Sequence, residues 1–217
     1  MNTDQAPLAL FGGSFNPPHY GHIYPLISAA NEFDLQRIHL LPTPNPAHKK
    51  IIGASFQQRV EMLDLVCNEF PLFTVDLIES QLPSPSYTIQ TLRHLRAQEG
   101  ARSIVFIMGQ DSLHSIDQWH QWDAIIELCN ILVLPRQDCT AEPSERITQW
   151  ITVHHQSDKQ QLHTATHGQL FFAESPITEV SSTAIRNMLT QSDSGDGIQQ
   201  MLPRNVYQYC LRHNLYN

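Results

Sequence analysis

An α/β fold built on a parallel sheet is what this sequence predicts, and three observations predict it. Short β-rich apolar runs alternate with longer stretches of helical periodicity, the order that crossover helices between parallel strands require. Four of the six runs read as buried on both faces, as strands of a covered parallel sheet are. Prolines and glycines gather directly after strand candidates, where α/β sheets bind their ligands.

Taken in chain order, the strand candidates are Leu8 to Phe11, Arg37 to Leu41, Phe73 to Ile78, Ser103 to Met108, Ile131 to Leu134 and Gln169 to Ala173. Between them, Phe56 to Phe70 places Val60, Leu63 and Val66 at a spacing of three, and Ile89, Leu92 and Leu95 repeat that spacing. Both segments predict surface helices with one core face. Ser182 to Leu189 and Pro203 to Leu211 read as two closing helices, the second opened by a proline suited to a first helical turn. Pro42, Pro44 and Pro46 interrupt one connection, Pro83 and Pro85 another, and Ser192 to Gly197 (SDSGDG) reads as an exposed link. The expectation is a single domain over residues 1–217, with a helical portion from about residue 182.

Composition narrows the function. The 217 residues are 41% hydrophobic, enough for one sizeable core. Thirteen Lys and Arg against 21 Asp and Glu give a net charge of −8, which repels a polyanion, so no nucleic-acid partner is expected. The longest apolar run, Ile104 to Met108, is far short of the roughly 20 residues of a membrane span. No Lys or Arg precedes Arg37, so neither a secretory nor a transit signal is read, and a cytoplasmic protein is expected. Cys67, Cys129, Cys139 and Cys210 form no CxxC pair and read as reduced packing residues.

The first strand runs straight into Gly12, Gly13 and Ser14, then to two histidines spaced as His19-x-x-His22. The glycines permit close approach of backbone to a ligand, Ser14 offers a hydroxyl, and a helix starting near Gly21 or His22 presents free N–H groups to an anion. Residues three apart near a helix start face the same way, so both imidazoles can donate to phosphate oxygens without serving as metal ligands. Neither GxGxxG nor the P-loop pattern is present, and an ordinary strand-to-helix turn is the plain alternative. Late in the chain, Ser182 and Thr183 of SSTAIR can cap a helix whose core face is Ile185, Met188 and Leu189, with Arg186 projecting elsewhere. On these residues alone, a plain capped helix with no ligand is the favoured reading of that segment.

Together the two segments are specific. GGSFNPPHYGH resembles the GGxFDPxHxGH signature of the HxGH nucleotidyltransferases, and SSTAIR at Ser181 to Arg186 resembles their second signature, about 165 residues further on. Within that superfamily the chain most resembles bacterial nicotinate mononucleotide adenylyltransferases, through PSYT ending at Thr88, GQDS at Gly109 to Ser112, Trp119, and the ending from Met201 to Tyr216. Pantetheine-phosphate adenylyltransferases share the superfamily without this PSYT and Trp combination.

The resemblance implies a Rossmann-like, doubly wound parallel sheet with helices on both faces. It also implies transfer of AMP from ATP to nicotinate mononucleotide, with Mg²⁺ carried by ATP and no protein metal site. His19, His22 and Arg186 would act on the phosphates. Gly12, Gly13, Ser14, Phe15, His22, Gly109, Asp111, Ser182, Thr183 and Arg186 would line the ATP site. Asn16, Thr88, Trp119, Lys49 and Arg136 would meet nicotinate mononucleotide, with Trp119 stacked on the pyridine ring. Read from their places alone, His48, Lys49 and Arg136 each follow strands and could neutralise phosphate, with solvated loop residues as the plain alternative.

The usual Asp of the first signature is Asn16 here, which removes a charge and keeps a hydrogen-bonding side chain. Read alone, Trp119 is an ordinary packing aromatic paired with Trp122, and Asp111 a solvated acid. His154, His155, His163 and His167, with helical spacing between the last two, read as packing residues and not as ligands. The other readings are the same chemistry on nicotinamide mononucleotide or phosphopantetheine, and a nucleotide-binding regulator without turnover. The assembly state expected is a monomer or small homo-oligomer.

Overall fold

The computed structural model describes residues 6–44, 53–136, 142–176, 180–190 and 196–216. Six strands, β1 (Leu8–Gly13), β2 (Ile38–Pro42), β3 (Phe73–Val75), β4 (Ile104–Gly109), β5 (Asn130–Leu134) and β6 (Leu170–Phe172), form one sheet in the order β3-β2-β1-β4-β5-β6. Every strand pair is parallel. The helices are α1 (Tyr20–Glu32), α2 (Phe56–Glu69), α3 (Ile78–Gln81), α4 (Thr88–Glu99), α5 (Gln110–His114), α6 (Glu145–His154), α7 (Gln161–Thr164), α8 (Ser182–Thr190), α9 (Asp196–Gln199) and α10 (Arg204–Arg212). Among the described residues, no helix is long and apolar enough to cross a membrane.

Alternation along the strands builds two cores. On β1, Ala9 and Phe11 join a cluster with Leu26 of α1, Leu63 of α2, Ile185 of α8 and Val206 of α10. Leu8 and Leu10 face the other way and pack with Ile89 and Leu92 of α4, Trp122 and Ile147 of α6. Because β1, β4 and β5 carry apolar residues toward both faces, they read as continuous apolar runs, and the sheet is doubly wound as expected. The strand order reverses between β1 and β4, so a crevice opens at their C-terminal ends, the place where such sheets bind nucleotides.

Several boundaries differ from the sequence reading, most of them by one or two residues. β3 stops at Val75 and not at Ile78, because the Asp76 carboxylate accepts from the Ile78 N–H and turns the chain into α3. Helix α1 begins at Tyr20, one turn position earlier than read, with His19 as its N-cap. Pro203 stands at the N-cap of α10, just outside the first turn. His163 and His167 do not share a helix, since α7 ends at Thr164. Cys67, Cys129 and Cys210 are free thiols, whereas Cys139, like most of the Ser192 to Gly197 link, lies outside the described residues.

Candidate active site

The connection from β1 to α1 is the centre of the site. Phe15 adopts a left-handed backbone, φ 47°, which costs a bulky residue about 1 kcal/mol or more. Burial offsets that cost: Phe15 is 1% exposed, its ring 5.9 Å from Phe11 and 5.3 Å from His22 between centroids. The loop then delivers His19 to the N-cap of α1 and His22 to its third position, where the two rings stack 3.7 Å apart.

The His19 N–H donates to His22 Nδ1 at 3.3 Å, so Nδ1 is the acceptor and the neutral ring carries its proton on Nε2. Burial lowers the His19 pKa to about 3, with the charge of Arg136 acting in the same direction. Burial also holds His22 well below the ordinary range, aided by His19 and Arg136. Both imidazoles are therefore neutral at pH 7. His19 Nδ1 is buried without a hydrogen-bond partner.

The second segment closes on the first from across the chain. Arg186 Nη1 donates to the Asn16 carbonyl at 2.8 Å and Nη2 to Thr183 Oγ1 at 2.9 Å. Ser182 Oγ donates to the Pro17 carbonyl at 3.0 Å. The α8 cap is Ser181, whose hydroxyl accepts from the Ala184 N–H, and this corrects the expectation that Ser182 and Thr183 cap the helix. Gly21 explains its own place in the motif: a Cβ there would stand 2.7 Å from the Val180 carbonyl oxygen and 3.0 Å from the His19 ring. Only glycine lets α1 begin this close to the entry of α8.

At the end of β4, Asp111 and Arg136 approach at 3.7 Å over Gly109, whose Cβ would strike the Asp111 carboxylate. Gly12 and Gly13 end β1 beside β4 and Ser14 follows them, with Phe106 of β4 against Gly12. The Phe106 ring in turn meets Trp119 edge-on, 6.3 Å between centroids. Trp119 sits between two 3-10 turns, while Trp122 is a core residue under Arg146, so the two tryptophans are not one packed pair. Thr88 opens α4, and the neighbouring Tyr87 ring lies 4.6 Å from His120, which brings the Thr88 and Trp119 segments together. Lys49 and His48 lie outside the described residues.

Asn16 is the predicted residue whose surroundings differ most from an open ligand contact. It is 5% exposed, and its Oδ1 accepts from the Tyr216 hydroxyl at 2.7 Å. Sequence reasoning also passed over Arg59, 1% exposed, which donates to the Ser14 carbonyl at 2.7 Å and the Thr43 carbonyl at 2.9 Å. An arginine at a position facing the core of an amphipathic helix was the available signal.

No three or more His, Cys, Asp or Glu side chains gather to hold a metal among the described residues. His154 and His163 instead bond the Gly168 and Phe33 carbonyls, and His155 packs on Phe172.

The cytidylyltransferase-like family model matches residues 10–188. A probable nicotinate-nucleotide adenylyltransferase of Yersinia pestis (strain Pestoides F) is 38% identical over 217 residues, covering 99% of this chain and 97% of the relative. Its counterpart in Yersinia enterocolitica is 40% identical, covering 96% and 94%. The nicotinic acid mononucleotide adenylyltransferase of Plasmodium falciparum complexed with NaAD has the same fold, with a TM-score of 0.72, 17% identity and 98% of each chain covered. Its complex with APC gives a TM-score of 0.70 at 16% identity, again over 98% of each chain.

Proposed function

Since the chain belongs to the cytidylyltransferase-like family and, within it, to the nicotinate-nucleotide adenylyltransferases, we propose that it transfers AMP from ATP to nicotinate mononucleotide, forming deamido-NAD and pyrophosphate. An oxygen of the acceptor's 5′-phosphate attacks the α-phosphorus of ATP, the bond to the β-phosphate breaks, and pyrophosphate leaves. The nucleophile is already ionised at neutral pH, so the protein supplies position and charge stabilisation, not a base.

The stacked pair of His19 and His22 at the start of α1 carries this reading. His22 Nε2–H donates to the α-phosphate as charge develops there, and His19 contacts the neighbouring phosphates. Arg186 and the starts of α1 and α8 hold the rest of the triphosphate, with Ser182 and Thr183 at hand. Gly12 to Phe15 form the floor beneath the nucleotide. Gly109 and Asp111 lie toward the ribose, where the carboxylate accepts from a hydroxyl.

Thr88 and Trp119 take the pyridine ring of the acceptor, and Arg136, with Lys49, its phosphate. Arg136 suits that task because its charge already reaches His19 and His22. Mg²⁺ would accompany ATP and neutralise phosphate charge there. We place this chemistry in the cytoplasm.

The test is pyrophosphate release from MgATP with nicotinate mononucleotide, nicotinamide mononucleotide and phosphopantetheine in parallel. Preference for the first is expected. Release with another acceptor instead would keep the histidine chemistry and overturn the roles of Thr88 and Trp119. Binding of ATP without release from any acceptor would make the protein a nucleotide sensor.

A further inference from the structure

We propose that Tyr216 is a positioning residue for Arg186, holding the β1–α1 loop and helix α8 in the one arrangement in which the guanidinium meets the triphosphate; this rests on the adenylyltransferase reading. The phenol donates to Asn16 Oδ1 at 2.7 Å, and the carbonyl of that same Asn16 accepts from Arg186 Nη1 at 2.8 Å. At its other end, the Thr190 hydroxyl, one helical turn along α8 from Arg186, shares its single proton between the Tyr216 carbonyl at 2.7 Å and the Arg186 carbonyl at 2.9 Å. One residue thus brackets both the helix that carries the arginine and the loop on which the arginine rests.

The bracket is tightly fitted. A Cβ on Gly53 would stand 2.6 Å from the Tyr216 ring, and Gly53 has φ 105°, so the chain entering α2 lies flat against the phenol. Burial of the phenol raises its pKa far above the ordinary value, so it remains a donor throughout the working pH range.

The same geometry accounts for Asn16. What Tyr216 requires at position 16 is an acceptor oxygen, and an amide supplies one as a carboxylate does. Asparagine in place of the family's aspartate therefore preserves the bracket.

Tyr216→Phe removes only the donor. Loss of one such bond is expected to raise the KM for ATP about fivefold and leave the KM for nicotinate mononucleotide within twofold. In an Arg186→Ala background the same change should add less than twofold. Calorimetric binding of a non-hydrolysable ATP analogue reads the same weakening without turnover, so inactivity of the wild-type chain would refute the adenylyltransferase reading alone. A Tyr216→Phe protein with lower melting temperature but unchanged ATP affinity would overturn the proposal. If that variant does not fold, Thr190→Val, which releases the other end of the bracket, must raise the KM for ATP or the proposal fails.

Discussion

The imidazoles of His19 and His22 stack 3.7 Å apart, and the His19 N–H donates to Nδ1 of His22. Placement at a helix N-cap thus does two things at once: it satisfies an otherwise orphaned backbone donor and fixes the tautomer of the second ring. In the proposed reaction, the atom left to meet substrate is Nε2–H of His22.

That assignment separates three substitutions. His22→Ala is expected to lower kcat by about a hundredfold or more, the scale of removing one charge-stabilising donor. His22→Gln, whose amide nitrogen can stand near Nε2, should retain more activity than His22→Asn, whose amide mimics Nδ1. Steady-state kinetics of the three folded variants check this; higher activity of the Asn protein than of the Gln protein would move the donor to the other nitrogen.

Acid should weaken the fold through the same pair. His19 titrates near 3 when folded and near 6.5 when unfolded, so between those values the unfolded chain binds more protons. Stability is complete above about pH 6.5 and falls as the pH drops through the window, by about 2 kcal/mol from this one residue at pH 5. His22 acts in the same direction, while Glu79, its buried carboxyl raised to about 7, acts in the opposite one. The difference between wild type and His19→Asn isolates the histidine. In urea melts at pH 7.5 and pH 5, His19→Asn should lose less stability on acidification by roughly that 2 kcal/mol.

Gly21→Ala forces a Cβ to within 2.7 Å of the Val180 carbonyl, a backbone atom that cannot rotate aside. Helix α1 and the entry to α8 must part by a few tenths of an ångström. The expected cost is about 1–3 kcal/mol in stability. A fall of at least tenfold in kcat/KM should accompany it if the two segments hold phosphate as proposed, since both shift together. Unchanged kcat/KM in a folded Gly21→Ala protein would show that this spacing is not critical.

Much of this was legible in the sequence because it depends on local chemistry. The alternation of apolar runs with helical periodicity marked all six strands, and the glycines and histidines after Phe11 marked the turn by which β1 enters α1. What the sequence hid were contacts between distant segments. Nothing local announces that Asn16 meets Tyr216, that Ser182 bonds Pro17 while Ser181 does the capping, or that Gly21 abuts Val180. The truncation of β3 turned on a single side-chain acceptor, Asp76, winning the Ile78 N–H from the strand. Trp119 and Trp122 share a spacing suited to one helix, yet their segment folds as separate 3-10 turns with Gln121 left-handed between them.

Arg59 gives the last prediction. Its guanidinium holds the carbonyls of Ser14 and Thr43, so it ties the loop after β1 to the end of β2. Among the described residues it makes no salt bridge, and its Nε is buried without a partner. Removing it leaves two carbonyls without their charged donor. Arg59→Met should therefore cost about 3 kcal/mol or more, a fall in Tm of about 6–12 °C for a chain of this size. Lysine preserves the charge but lacks the planar fork that spans both oxygens. Arg59→Lys should accordingly lose nearly as much stability as Arg59→Met while binding ATP more tightly than it does, because a buried cation beneath the first loop still attracts the triphosphate. Thermal melts and ATP titrations of the two variants check the division, and equal ATP affinities would confine Arg59 to bracing the loops.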